Sequence, residues 1–96
     1  MRNRYVVAYD IRDPKRLRRI YNKMRGFGEP LQYSVFFCEL SLKEKAIMIS
    51  DLIEIIHPTQ DSIMIINTGW TEDDIRDRVE LIGDKPNIQE RKAVVV

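Results

Sequence analysis

Segments typical of strands and helices alternate along this chain, and the alternation limits its fold more than any other feature. Residues 4–11 are nearly continuous in apolar, aromatic and β-branched side chains, which predicts a central strand buried on both faces. Asp13 and Pro14 then form an N-cap and first helical residue, so a helix is expected to begin there. Its apolar stripe is predicted to consist of Leu17, Ile20, Tyr21 and Met24.

A second extended run covers residues 30–40 and is expected to bend or break near Tyr33 and Ser34. The capping-box pattern Ser41-Leu42-Lys43-Glu44 predicts that another helix begins next and continues to about residue 56. We expect this helix to bury Ala46, Ile49, Ile53 and Ile56.

The C-terminal third carries shorter signals. An apolar strand is predicted at residues 63–66, and Thr71 is expected to cap a short helix that ends near Gly83. Residues 93–96 are apolar and β-branched, which predicts a last short strand. Because chain termini fray unless another segment holds them, this strand is expected to pair with a sheet edge, and a partner protomer is expected to supply that edge.

Strands alternating with helices in a chain of this length predict a small α+β or α/β sandwich. If residues 31–40 supply two strands, the chain reads β-α-β-β-α-β, a ferredoxin-like α+β sandwich with an additional C-terminal strand. With 96 residues there is room for one domain, so residues 1–96 are expected to fold as a single unit.

Charge is distributed unevenly, although the formal net charge is only +1. Residues 1–28 carry nine basic side chains and two acids, whereas the other 68 residues carry seven bases and thirteen acids. One face of the folded chain is therefore expected to meet an anionic partner, and nucleic acid is the obvious candidate. The alternative is that these charges only solvate a helix.

Cysteine content and hydropathy indicate the cellular compartment of the protein. The single cysteine, Cys38, cannot form an internal disulfide, and no apolar run approaches the roughly 18 residues needed to span a bilayer. The N-terminus lacks the apolar core of a signal peptide. These features predict a protein of a reducing cytoplasm with no membrane partner.

Asp10 is the most informative single residue for chemistry. It ends a buried strand just before a helix start, a position where proteins of this class place functional groups. Beside a basic surface, a carboxylate can hold Mg²⁺ against a phosphate, because Mg²⁺ takes hard oxygen ligands. One carboxylate per chain is a poor metal site, so two copies across a two-fold axis are favoured. Alternatively, Asp10 only ends the strand or pairs with an arginine.

Three blocks of sequence together carry a resemblance to a known protein family. The first is Tyr5-Val6-Val7-Ala8-Tyr9-Asp10-Ile11, followed by Asp13 and Arg16-Leu17-Arg18-Arg19. The second is Gln32-Tyr33-Ser34-Val35-Phe36, and the third is Asp61-Ser62-Ile63-Met64-Ile65. In this order the blocks resemble the small CRISPR-associated endoribonuclease family, the non-integrase subunit of the spacer-acquisition module, and the resemblance covers residues 4–68.

The resemblance implies a homodimer in which a divalent metal, Mg²⁺, is shared between the two protomers at Asp10. It implies metal-dependent cleavage of single-stranded RNA or double-stranded DNA, and a role as a scaffold that bridges integrase dimers during spacer acquisition. The implied partners are a second copy of the chain, the CRISPR integrase subunit, and RNA or duplex DNA. C-terminal strands, here residues 93–96, are implied to complete the partner's sheet.

The resemblance also implies roles for individual residues. Asp10 matches the metal ligand, Tyr9 the aromatic before it, Arg19 a basic helix position linked to cleavage, and Phe36 the aromatic of the second block. We therefore take Asp10, Tyr9, Arg19 and Phe36 as catalytic candidates, and Arg12, Arg16, Arg18 and Arg19 as nucleic-acid-binding candidates. Many members carry a basic residue where this chain has Pro30.

Two further functions stay open on the sequence alone. The chain could be a nucleic-acid-binding scaffold without catalytic activity, which would need the basic segment and not the metal site. It could also be a ribonuclease toxin of related fold.

Overall fold

The computed structural model describes residues 2–70 and 75–83 of the chain, and it contains the predicted alternation of strands and helices. Two α-helices and four strands are followed by one turn of 3-10 helix. In chain order they are β1 (Arg2–Asp10), α1 (Pro14–Met24), β2 (Gly28–Gln32), β3 (Val35–Ser41), α2 (Leu42–Ile55), β4 (Ser62–Gly69) and the 3-10 helix (Ile75–Arg78).

The strands form one antiparallel sheet in the order β2-β3-β1-β4. β1 is an inner strand that pairs with both β3 and β4, while β2 and β4 lie at the edges. Helices α1 and α2 pack on one face of this sheet and share a core with it. This is the predicted ferredoxin-like α+β sandwich, and the expected break at Tyr33 and Ser34 separates β2 from β3.

Local signals start both helices where the sequence predicts. The Asp13 side chain accepts hydrogen bonds from the backbone amides of Lys15 and Arg16, each at 3.0 Å. At α2 the capping box is complete: the Ser41 amide donates to Glu44 Oε1 at 2.8 Å, and the Glu44 amide donates to Ser41 Oγ at 3.1 Å. The bond from the Ser41 amide lowers the pKa of the Glu44 carboxyl.

The two faces of the sheet differ in how they are covered. On the helix side, Tyr5, Val7 and Tyr9 of β1 lie in the core. On the other side Val6 and Ala8 are only half-buried, so the prediction that β1 is buried on both faces is correct for one face only. Side chains alternate along a strand, and the described elements place both helices on the same side.

The second sheet face carries an apolar surface that we call the open face. It is formed by Val6 and Ala8 of β1 with their direct cross-strand partners Ile66 and Met64 of β4. Met64 is 58% exposed and Ile66 is 46% exposed. Only the β2–β3 end of this face is covered within the described residues, where Ile75 and Val79 pack against Leu31 and Phe37.

The prediction for the buried side of α2 is wrong. The helix buries Met48, Leu52 and Ile55, whereas Ala46 and Ile53 are exposed and Ile49 and Ile56 are half-buried. Apolar residues surround most of this helix, so their spacing does not select one side. The packing against β1, β3 and α1 selects it instead.

This assignment predicts different costs for two adjacent substitutions. Leu52 is 2% exposed, so Leu52→Ala should lower the free energy of unfolding by about 2–5 kcal/mol. Ile53 is 63% exposed, and Ile53→Ala should cost less than about 1 kcal/mol. Urea unfolding of both variants measures the difference. Equal losses, or a larger loss for Ile53→Ala, would contradict the observed helix orientation.

Two predictions fall outside the described residues: the cap at Thr71 and the strand at residues 93–96. The predicted short helix of this region is a single 3-10 turn in its described part, and Gly83 adopts a positive φ of 92°. No helix in the described part of the chain is long and apolar enough to cross a membrane.

Candidate functional site

Asp10 is placed by the register of the central strand. It is the last residue of β1 and lies opposite Ser62 of β4. Alternation along β1 places its carboxylate on the side of Val6 and Ala8, which is the open face. The side chain is exposed, so it is accessible to a ligand.

The segment after Asp10 is held by a second carboxylate, Asp61, whose side chain is fully shielded from solvent. Its Oδ1 accepts from the Arg12 amide at 2.9 Å, and its Oδ2 accepts from the His57 amide at 2.8 Å. Arg16 donates to both oxygens, from Nε at 2.7 Å and from Nη2 at 3.2 Å. Asp61 therefore ties the loop after β1 to α1 and to the turn that follows α2.

The charge of Asp61 is stabilised by these donors. The Arg16 guanidinium and the two amides hold the pKa of the Asp61 carboxyl well below its usual range, although burial acts in the opposite direction. The carboxylate is thus ionised throughout the neutral range and paired with a single arginine. A buried charge with four donated hydrogen bonds fixes the loop that carries Arg12.

Tyr9 and Phe36 lie in the core. Their ring centroids are 6.3 Å apart, and Phe36 has no exposed surface. The Tyr9 hydroxyl donates to the backbone carbonyl of Tyr33 at 2.5 Å, and burial raises its pKa above the usual value. Any effect of these two rings on catalysis must therefore pass through the positions of the β1 end and the β2–β3 turn.

The four candidate arginines occupy different environments. Arg16 is committed to Asp61 and also donates to Gln60 Oε1 at 3.0 Å. Arg12, Arg18 and Arg19 are exposed. Arg18 lines a cavity beside Tyr33, whereas Arg19 lines an open groove between α1 and α2.

The structure thus brings some candidates together and separates others. Arg12 lies two residues after Asp10, in the loop that follows β1, while neither the Arg18 cavity nor the Arg19 groove is lined by Asp10. Within residues 2–70 and 75–83, no cluster of three or more His, Cys, Asp or Glu side chains could hold a metal ion. Within those residues, Asp10 is the exposed carboxylate at the end of β1.

Comparison with known proteins assigns the family. Residues 2–75 match the family model described as CRISPR associated protein Cas2. The chain belongs to this family. It is 38% identical to a protein of Rhodospirillum rubrum named CRISPR-associated endoribonuclease Cas2 1, over 96% of this chain and 89% of that one. A Geobacter sulfurreducens protein named CRISPR-associated endoribonuclease Cas2 is 36% identical over the full length of both chains.

Solved Cas2 structures share the fold. The crystal structure of Streptococcus pyogenes Cas2 at pH 6.5 superposes with a TM-score of 0.72 and 29% identity, covering 83% of this chain and 99% of that chain. The family resemblance and the ferredoxin-like fold expected from the sequence are both confirmed.

Sequence reasoning missed the pairing of Asp61 with Arg16 in this Cas2 site. The Asp61–Arg16 pair joins residues 45 positions apart, and the charged residues alone do not reveal that pairing. An aspartate directly before the β4 strand was the available signal. Pro30, at the position where many members carry a basic residue, is a buried residue of edge strand β2, where proline is tolerated.

Proposed function

We propose that this Cas2 protein is a homodimeric endoribonuclease that depends on a divalent metal and cleaves single-stranded RNA. Asp10 is the proposed metal ligand. The observation that carries the proposal is the position of Asp10, an exposed carboxylate at the edge of an open apolar sheet face and beside the loop that carries Arg12. The printed names of the Rhodospirillum and Geobacter relatives support the reaction class.

Dimer formation through the open face follows from its composition. Met64 and Ile66 are large apolar side chains left exposed beside Val6 and Ala8. Covering such a patch is favourable by about 25 cal/mol per Å² of apolar surface removed from water. A two-fold interface applies the same patch to itself, so both Asp10 residues would border it.

The residues present fit a divalent cation when two chains contribute. Asp10 supplies a hard oxygen ligand, and Mg²⁺ needs few protein ligands because waters and phosphate oxygens complete its shell. When bound, the cation supplies charge stabilisation at the phosphate and a more acidic bound water. Asp10 of each chain would hold it.

The basic residues supply the remaining contacts with the phosphates of the nucleic acid. Arg12 is exposed in the loop that Asp61 fixes, so its guanidinium can contact a phosphate next to the scissile one. Arg18 and Arg19 lie further along α1, where they can bind neighbouring phosphates of the same strand. Arg16 acts through Asp61 as a positioning residue.

A cleavage assay tests the reaction and its metal requirement. The purified protein should cut labelled single-stranded RNA with Mg²⁺, lose this activity in EDTA, and regain it when excess Mg²⁺ is added. Equal cleavage in EDTA and Mg²⁺ would contradict metal dependence. Cleavage of duplex DNA without cleavage of single-stranded RNA would show that duplex DNA is the substrate instead of RNA.

A scaffold function is the second candidate, and the edge strand β4 favours it. Within the described residues β4 pairs only with β1, so one edge of the sheet can accept a strand from another protein. As a scaffold the chain would bridge CRISPR integrase subunits and bind duplex DNA through its basic segment. Salt-sensitive duplex binding without cleavage of any nucleic acid would favour this function.

A further inference from the structure

A cavity of about 500 Å³ lies between α1 and the β2–β3 turn. Its lining is mostly apolar and consists of Pro14, Leu17, Arg18, Tyr21, Tyr33 and Ser34. This volume falls within the range of about 300–1,000 Å³ that is typical of sites for small organic groups. The functions proposed above for Asp10 make no use of it.

Two tyrosines supply aromatic surface to this cavity. The ring centroids of Tyr21 and Tyr33 are 6.0 Å apart and their planes are tilted by 47°, so the rings are not stacked on each other. Tyr33 is 58% exposed. Large, open aromatic surface of this kind can stack on a planar ligand.

The aromatic wall is held in place from behind. Tyr21 packs edge-on against the fully buried Phe36, with ring centroids 5.4 Å apart. The backbone of Tyr33 is fixed by the hydrogen bond from the Tyr9 hydroxyl. A wall that is already ordered loses little conformational freedom when a ligand binds.

Charge around the cavity indicates the kind of ligand. α1 carries five basic residues and no acidic residue, and one of the five, Arg18, lines the cavity itself. The cavity is apolar and aromatic, and it lies beside a positively charged helix. It is therefore complementary to a ligand in which a planar apolar ring is linked to an anionic group. A nucleotide unit has this composition, and aromatic stacking with a basic groove is how proteins bind single strands.

The position of the cavity relates it to Asp10. Ser34, in its lining, accepts a hydrogen bond through its carbonyl from the Tyr9 amide at 3.1 Å. Asp10 is the next residue after Tyr9, so the cavity and the candidate carboxylate lie at the same end of the sheet. A single strand bound at both places would pass around this end of the sheet, since Asp10 faces the open side and the cavity lies on the helix side.

We propose that the Tyr21–Tyr33 cavity binds an unpaired nucleobase of a single-stranded RNA, with Arg18 contacting an adjoining phosphate. This inference rests on the proposed function for its substrate class and adds a base-binding subsite to it. The base must be unpaired, because a base inside a duplex does not offer its face to a protein ring.

Equilibrium binding of a single-stranded RNA oligonucleotide in EDTA tests the subsite separately from cleavage. Tyr33→Ala should weaken binding by roughly 5- to 100-fold, the effect of losing one aromatic stacking partner. Tyr33→Phe, which keeps the ring, should bind like the wild type. Duplex RNA of the same length should bind both Tyr33→Ala and wild-type protein equally, since it has no unpaired base to offer.

Arg18 and a control position separate charge from stacking. Arg18→Ala should reduce the slope of log affinity against log salt by about 0.7, the value for one phosphate contact on a single strand. Leu42→Ala removes an exposed apolar side chain elsewhere, at the start of α2, and should leave RNA affinity unchanged.

Two results would overturn the inference. The first is unchanged single-strand affinity in Tyr33→Ala, and the second is an equal loss of affinity for single-stranded and duplex RNA. If the unchanged affinity comes with a changed oligomeric state, the cavity is a protein contact. If Tyr33→Ala weakens single-strand binding but the wild-type protein cleaves no RNA, the subsite is supported and the proposed nuclease activity is contradicted.

Discussion

Asp10→Ala is expected to lower the rate of RNA cleavage by at least about 100-fold and to leave the fold unchanged. The loss is expected because the variant removes the carboxylate proposed to hold the metal in both chains of a dimer. The fold should persist because Asp10 is exposed at the end of its strand. Single-turnover cleavage and the melting temperature, measured on the same preparations, test both statements.

A second acidic residue provides the matched control for this experiment. Glu54 is an exposed residue of α2 that lies outside the proposed site, and Glu54→Ala should keep wild-type activity. Asp10→Ala with undiminished activity would show that the observed nuclease does not use this carboxylate, or that it is a contaminant. Equal losses in both variants would point to a general effect of charge.

Asp61→Asn is expected to lower the melting temperature by roughly 10 °C or more at neutral pH. The substitution keeps the size of the side chain but turns one acceptor oxygen into a donor. That donor would face the Arg16 guanidinium or a backbone amide in a fully shielded site. Asp51→Asn is the control: its contact with Lys23 is 4.0 Å long and partly exposed, so its loss should have little effect.

The same pair predicts a pH dependence. Since the pKa of Asp61 is lower in the folded protein than in the unfolded chain, its contribution to stability is present above the unfolded pKa of about 3.9. The contribution is lost as pH falls below that value. Melting temperatures from pH 7 to pH 3 should therefore decline less steeply in Asp61→Asn than in the wild type. Parallel curves would contradict this role for Asp61.

Local chemistry made much of the fold predictable. The Asp13-Pro14 and Ser41–Glu44 signals act over three or four residues, and the structure shows both caps with the expected hydrogen bonds. The strand order follows from the sequence of segments because few topologies are available to β-α-β-β-α-β chains. Asp10 could be singled out because a carboxylate at the end of an apolar strand is visible in the sequence.

The features that could not be predicted depend on contacts between distant segments. Helix α2 is apolar on most sides, so only the packed core decides that Leu52 is buried and Ile53 is not. Arg16 belongs to a basic run and resembles its neighbours until Asp61 contacts it. The cavity at Tyr33 forms only when α1 and the β2–β3 turn pack close together. The sequence does not show how close these two segments lie.

The shared location of Asp10 and the open face ties assembly to chemistry. If cleavage needs a carboxylate from each of two chains, a newly made single chain holds half of a site and cannot cut RNA. Activity per molecule then rises with protein concentration until all chains have dimerised through the open face formed by Val6, Ala8, Met64 and Ile66. The amount of protein in the cell would set the threshold at which the nuclease exists at all.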